Sequence, residues 1–189
     1  MPRPYFFGYG SLVNRKTHDY QPAYPAEVRG WRRIWRHTKL RRLAYLSVIE
    51  SAGDTIDGLI AAVPDDNWAA LDERERAYDR LVLAPQVIRH NAPAPVKVQI
   101  YRTQREHEEA PDIRHPVLLS YLDTVVLGFL DVFGTEGVTR FFQTTDGWDA
   151  PILDDRTAPI YPRAVIPEPA TRRMIDDHLD RLAVRRLGA

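Results

Sequence analysis

Glu75 is the residue whose surroundings best suit acid–base chemistry. Residues 67–78 have the spacing of an amphipathic helix, and one face of that predicted helix carries Trp68, Leu71, Glu75 and Tyr78. Glu73 falls off this stripe, and Asp72 lies on the opposite face with Arg76. A carboxyl group among apolar neighbours loses hydration, which raises its pKa, by up to ~3–5 units when burial is complete. Glu75 is therefore a candidate proton carrier near neutral pH, unless it pairs with a buried arginine or caps backbone amides.

A second candidate is the run Phe7-Gly8-Tyr9-Gly10-Ser11-Leu12, which follows a strongly β-prone segment. Glycines at a strand end let the backbone approach a ligand closely, and free N–H groups in such a turn bind anions. The run lacks the third glycine of a dinucleotide-binding fingerprint. Val13 replaces the second glycine of a G-x-S-x-G nucleophile elbow. The alternative reading is a plain strand-ending turn.

Other common catalytic arrangements are missing from the sequence. The chain has no cysteine, which excludes disulfides, thiolate zinc sites and cysteine nucleophiles. His107 and His115 do not have the spacing of zinc ligands, and Ser11 has no evident histidine partner. We therefore expect no metal site and no cofactor.

Together, the glycine loop and the Glu75 segment resemble the γ-glutamylcyclotransferase-like superfamily, with bacterial ChaC-type proteins as the nearest branch. The resemblance covers roughly residues 4–130. It is carried by Tyr9-Gly10-Ser11-Leu12, Gly30-Trp31-Arg32-Arg33, Gly58, Leu71-Asp72-Glu73-Arg74-Glu75, Tyr78 and Tyr101.

The resemblance implies an enzyme that cyclises a γ-glutamyl amide, releasing 5-oxoproline and an amine or amino acid. It assigns Glu75 as the general acid/base. It places substrate against the loop of Tyr9, Gly10, Ser11 and Leu12, mainly through backbone amides, and against Tyr101. The substrate class stays open among γ-glutamyl amino acids, γ-glutamylamines and glutathione. The rival function is a non-catalytic module that binds a small acidic ligand.

The elements that must position these residues indicate an α+β protein. Predicted strands are 4–9, 26–36, 42–50, 56–63, 80–88 and 96–102. Predicted helices in the second half are 116–133, 135–142 and 170–187, the last with Met174, Ile175, Leu179 and Leu182 on one stripe. We expect one domain over 1–189: a small mixed β-barrel, as the resemblance implies, with packed helices and a helical C-terminal part.

The net charge limits the expected partners. Lys+Arg and Asp+Glu each number 26, so the net charge is zero and attraction to nucleic acid or an anionic membrane is weak. Residues 28–49 hold seven Lys/Arg and no acid before Glu50, but we interpret them as exposed strand faces. Arg156 and Arg163 are candidates to meet a substrate carboxylate, but we expect structural salt bridges for both. We predict a cytoplasmic monomer or homodimer that binds a small-molecule γ-glutamyl substrate.

Overall fold

The structure is a computed structural model that describes residues 2–38, 43–93, 95–104 and 108–188. Its strands are β1 Arg3–Gly8, β2 Ala23–Thr38, β3 Tyr45–Ala62, β4 Tyr78–Val82, β5 Ile88–His90, β6 Val96–Thr103, β7 Glu108–Glu109, β8 Val117–Leu118, β9 Thr145–Asp146, β10 Ile152–Asp154 and β11 Arg186–Gly188. Its helices are α1 Ala69–Arg74, α2 Leu119–Gln143 and α3 Pro169–Arg181. Strands dominate the first half and helices the second, which confirms the α+β class.

The main sheet is mixed, and its first strand lies near its centre. The strand order is β4-β6-β1-β3-β2-β5, with β7 and β9 also paired to β2. Strand β1 runs parallel to β6 and antiparallel to β3. The glycine loop therefore emerges from a strand that is fixed on both sides.

The mixed sheet that was expected as a small β-barrel is present, but within the described residues it is not closed. In the described residues, the end strands β4 and β5 pair only with β6 and β2, respectively. Because only Leu83–Val87 separates the two strands, the sheet must curl until its edges approach each other. A 3₁₀ turn at Pro85–Val87 occupies that connection, and it divides the predicted strand 80–88.

A long hairpin of β2 and β3 forms the other half of the sheet. The predicted strands 42–50 and 56–63 are parts of the single strand β3. Their pairing with β2 shifts register between Arg29 and Trp31, where Gly30 adopts φ +80°. A positive φ favours glycine, so this bulge has a clear sequence cause.

The predicted helix 67–78 is shorter than expected. It ends at Arg74, because Glu75 leaves the helical conformation and Tyr78 begins β4. Hydrogen bonds between β4 and β6 along the sheet edge override the helical periodicity of this segment. Trp68 and Leu71 still bury the face that the sequence predicts.

The long helix α2 packs its buried side chains into the main core with the sheet. It contains a non-helical residue at Gly134 (φ +65°), which separates the segments predicted as helices 116–133 and 135–142. Helix α3 buries Ile175 and Leu179. The helix predicted over 170–187 ends at Arg181, and Leu182, the last residue of the predicted stripe, lies beyond it and is 39% exposed.

Candidate active site

The loop after β1 is held in place by hydrogen bonds from its own neighbourhood. Ser11–Val13 forms a short 3₁₀ turn in which the Val13 amide donates to the Gly10 carbonyl at 2.9 Å. The Thr17 hydroxyl donates to the Ser11 carbonyl at 2.9 Å, and His18 Nε2 lies 3.0 Å from the Leu12 carbonyl. These contacts use the loop carbonyls.

The loop amides are left available. In the part of the chain that the structure describes, the backbone N–H groups of Gly10, Ser11 and Leu12 have no hydrogen-bond partner. Three adjacent N–H groups on one loop are suited to bind an anionic or carbonyl oxygen.

A fully buried arginine fixes the start of the loop. Arg33 donates from Nε to the Tyr9 carbonyl at 3.0 Å and from Nη2 to the Asp57 carbonyl. Its guanidinium also lies 4.8 Å from the ring centre of Phe129. Burial lowers the pKa of Arg33 to about 9, so the group remains a cation at neutral pH. The sequence indicated an exposed basic face here; the structure instead buries this residue.

Another arginine of the basic segment 28–49 is also engaged in ion pairs. Arg32 forms ion pairs with Asp54 at 3.4 Å and Asp146 at 2.8 Å. Three members of the run, Lys39, Arg41 and Arg42, lie outside the described residues, as does His107.

Tyr9 and Tyr101 connect the loop to α1. The Tyr9 hydroxyl donates to the Tyr101 carbonyl at 2.6 Å, and the Tyr101 hydroxyl donates to Asp72 at 2.5 Å. Asp72 also pairs with Arg80 at 3.0 Å, and Arg76 pairs with Glu73 at 3.3 Å. Burial and the Asp72 hydrogen bond raise the pKa of Tyr101, which keeps its phenol protonated at neutral pH.

Glu75 is placed at the C-terminal end of α1 with its side chain 15% exposed. Its carboxylate forms an ion pair with Arg74, whose Nε lies 3.2 Å away. Glu75 therefore has an arginine partner, which was the alternative interpretation, and that partner is the preceding residue. Glu73, in contrast, is 76% exposed.

Glu75 and the loop line one cleft, of about 330 Å³ of empty space. Its lining residues are Phe7, Gly8, Tyr9, Gly10, Ser11, Leu12, Leu46, Glu75, Tyr78, Tyr101 and Tyr121. The cleft therefore contains every site residue predicted from the sequence. Among the described residues that line it, Glu75 is the only carboxylate.

Sequence reasoning missed Tyr121, which enters the cleft from α2. Burial and the neighbouring Tyr161 raise the pKa of Tyr121, so it too is a hydrogen-bond donor rather than a base. Its hydroxyl lies 3.1 Å from the position that a Cβ on Gly10 would occupy. A tyrosine inside a largely buried helix was the available signal, since a buried phenol needs a polar partner.

Arg156 and Arg163 differ in role. Arg156 pairs with Asp123 at 2.7 Å and Asp176 at 2.8 Å, which confirms the expected structural salt bridge. Arg163 is exposed and lines a second cavity beside Glu75, so the same expectation is wrong for it.

No group of three or more His, Cys, Asp or Glu side chains is arranged to hold a metal ion within the described ranges. The helices in those ranges also lack the length and apolarity needed to cross a membrane.

Residues 6–117 match the family described as gamma-glutamyl cyclotransferase, AIG2-like. The chain belongs to this family. The match confirms the predicted γ-glutamylcyclotransferase-like superfamily and indicates a γ-glutamyl cyclotransferase-type enzyme; the ChaC-type branch stays a prediction. No curated protein sequence matches the chain significantly.

Solved structures share the fold at low sequence identity. Uncharacterized protein loc79017 from Homo sapiens is 16% identical with a TM-score of 0.57, covering 72% of this chain and 85% of that one. A protein named gamma-glutamyl cyclotransferase is 15% identical with a TM-score of 0.58, covering 92% and 98%. YkqA from Bacillus subtilis is 15% identical with a TM-score of 0.59, covering 76% of this chain but only 54% of YkqA. These likenesses support the fold.

Proposed function

We propose that the protein cyclises a γ-glutamyl amide, releasing 5-oxoproline and an amine or amino acid, with Glu75 as general acid/base. Such a substrate carries its own nucleophile, because its α-amine is positioned to close a five-membered ring on the γ-carbonyl carbon. The enzyme must remove the ammonium proton, stabilise the tetrahedral oxyanion and protonate the leaving nitrogen.

One carboxylate serves both proton steps in turn. Glu75 first accepts a proton from the α-ammonium group, and the freed amine forms a C–N bond with the γ-carbonyl carbon. The resulting carboxylic acid then donates that proton to the leaving nitrogen, as the original amide C–N bond breaks. Arg74 balances the charge of the resting carboxylate. The ring nitrogen must also lose a second proton to become the lactam N–H, and the regenerated Glu75 carboxylate passes this proton to the departing amine, which leaves as an ammonium ion. With both transfers, protons and atoms balance without an outside reactant.

The loop and the phenols supply hydrogen-bond donors. The amides of Gly10, Ser11 and Leu12 are available to the γ-glutamyl group and to the developing oxyanion. Tyr101 and Tyr121 keep their protons, so neither competes with Glu75 as the base.

The observation that carries the proposal is that Glu75 is the only carboxylate among the described residues lining the cleft. The test is to incubate the purified protein with a panel of γ-glutamyl amino acids, γ-glutamylamines and glutathione, and to quantify 5-oxoproline. Release of 5-oxoproline from at least one compound is expected. Absence of release from all of them, with the protein folded, contradicts the proposal.

The Arg74–Glu75 ion pair is also compatible with the second candidate function, a module that binds its ligand without catalysis. An unpaired carboxylate in the cleft would cost free energy without function, but a paired one is tolerated. Calorimetry with glutamate or 5-oxoproline, combined with the 5-oxoproline assay, separates the two functions. A binding module binds the ligand in calorimetry but releases no 5-oxoproline from any γ-glutamyl amide.

Replacing Gly10 by valine is expected to weaken substrate binding strongly. A Cβ at this position lies 3.1 Å from the Tyr121 hydroxyl and 3.5 Å from Leu46 Cδ1, so a branched side chain fills the cleft. We expect KM to rise at least tenfold, the effect of about 1.4 kcal/mol of lost binding.

Ser11→Ala is the matched variant, since it retains the Ser11 amide and loses only a hydroxyl that accepts from Arg74 at 3.3 Å. Its KM should change several-fold less. Equal effects of the two substitutions would contradict binding through the loop backbone.

Activity is expected to persist after exhaustive treatment with EDTA. The proposed steps use one carboxylate and hydrogen-bond donors, and the residues lining the cleft include no histidine. The measurement is the 5-oxoproline rate before and after chelation, with metal content checked by elemental analysis. A loss of rate that zinc or manganese restores would refute the cofactor-free scheme.

A further inference from the structure

A second cavity, of about 430 Å³ of empty space, adjoins the cleft on the far side of Glu75. The two share Ser11, Glu75, Tyr78 and Tyr121. The second cavity adds Tyr45, Arg74, Tyr161, Pro162 and Arg163. The Glu75 carboxylate thus lies where the two spaces meet.

Charge is unbalanced in the second cavity. Its charged lining residues are Arg74, Arg163 and Glu75. Arg74 pairs with Glu75 at 3.2 Å and donates to the Thr17 carbonyl at 3.0 Å. The Arg163 guanidinium has no ion pair or hydrogen bond with any residue that the structure describes. One positive charge in the cavity lining is therefore uncompensated by the described residues.

The backbone on both sides of Arg163 is anchored by hydrogen bonds and packing. The Ala164 amide donates to the Tyr161 carbonyl at 3.1 Å, which closes a turn around Arg163. Tyr161 is only 6% exposed and packs edge-on against Tyr121, with ring centres 5.0 Å apart. On the other side, the Val165 amide donates to the Thr124 hydroxyl at 2.9 Å. Both flanks of Arg163 are thus anchored to α2.

The position of the second cavity beside Glu75 indicates which part of the substrate would enter it. If the γ-glutamyl group occupies the cleft beside the loop, its scissile amide lies at Glu75 and the leaving amine extends into the second cavity. A guanidinium there fits a carboxylate, which it binds through two parallel hydrogen bonds.

We propose that Arg163 binds a carboxylate on the leaving amine and so selects γ-glutamyl amino acids or peptides over γ-glutamylamines that lack an acid group. This inference rests on the proposed function. Arg163 lies outside residues 6–117, the segment that matches the family, so it is a feature of this chain's own C-terminal part.

The test compares γ-glutamyl-alanine with γ-glutamyl-alaninamide, which differ only in carboxylate against carboxamide. The wild-type protein should have the higher kcat/KM for the carboxylate, through a lower KM. Arg163→Met should reduce the ratio of the two kcat/KM values about tenfold, and Arg163→Lys should retain part of it. Raising ionic strength should also reduce the ratio.

Arg173→Met is the control, because Arg173 is an exposed arginine on α3 that lines a different cleft. It should leave the ratio at the wild-type value. An unchanged ratio in Arg163→Met, or no preference for the carboxylate substrate in the wild type, overturns the role of Arg163 but not the proposed function. No 5-oxoproline from any γ-glutamyl compound overturns the proposed function, and this inference with it.

Discussion

Glu75→Gln is expected to lower kcat for 5-oxoproline release by about 10²–10⁴-fold. Glutamine keeps the shape of the side chain and its hydrogen-bonding oxygen, but it cannot accept and return a proton. The position at the end of α1 is only 15% exposed, so bulk water is a poor substitute for the lost carboxylate. The measurement is single-turnover or steady-state product formation at saturating substrate.

Glu73→Gln is the matched control, because it removes a carboxylate two residues away that is 76% exposed. It should retain nearly wild-type kcat. Circular dichroism and the thermal midpoint of each variant establish that both are folded. Near-normal activity in Glu75→Gln would refute the mechanism, even if the protein proves to be a cyclotransferase.

Arg33→Met is expected to reduce the free energy of unfolding by about 3 kcal/mol. The substitution leaves the buried carbonyls of Tyr9 and Asp57 without their donor, and it removes the cation stacked on Phe129. Each unsatisfied buried group costs roughly 1–3 kcal/mol, a large share of the stability of a typical domain. Urea unfolding monitored by tryptophan fluorescence provides the measurement.

Arg29→Met tests whether the effect belongs to the buried position. Arg29 is on the same strand but exposed, so its replacement should change stability by no more than about 0.5 kcal/mol. Arg33→Lys should recover little, since one ammonium group cannot reach both carbonyls in the geometry of the guanidinium fork. Equal stability of Arg33→Met and Arg29→Met would contradict the assigned role.

Local patterns in the sequence, together with the family resemblance, pointed to residues that the structure brings into one cleft. The glycines of the loop and the apolar neighbours of Glu75 are signals confined to short segments, and the structure brings both to one cleft. The end of α1 could not be located in this way, because Tyr78 joins β4 through pairing with Thr103 in a distant strand. Helical spacing alone does not reveal such competition.

Residues contributed by the second half of the chain were harder to anticipate. Tyr121 lies in a helix that is apolar on most sides, so its spacing resembles that of a core position. Arg156 and Arg163 are seven residues apart, yet one meets Asp123 and Asp176 while the other borders the second cavity. Only the packing of the C-terminal part against α2 separates them.

The placement of β1 also determines when the cleft forms during folding. The ladder between β2 and β3 is local in sequence and closes at small entropic cost. The bond from the Tyr9 hydroxyl to the Tyr101 carbonyl spans 92 residues, and β1 must pair with β6 to bring them together. Long-range pairing of this kind is slow. We therefore expect the hairpin to form early, and a chain that has acquired only the hairpin still lacks the cleft, so ligand binding at the cleft should report on a late stage of folding.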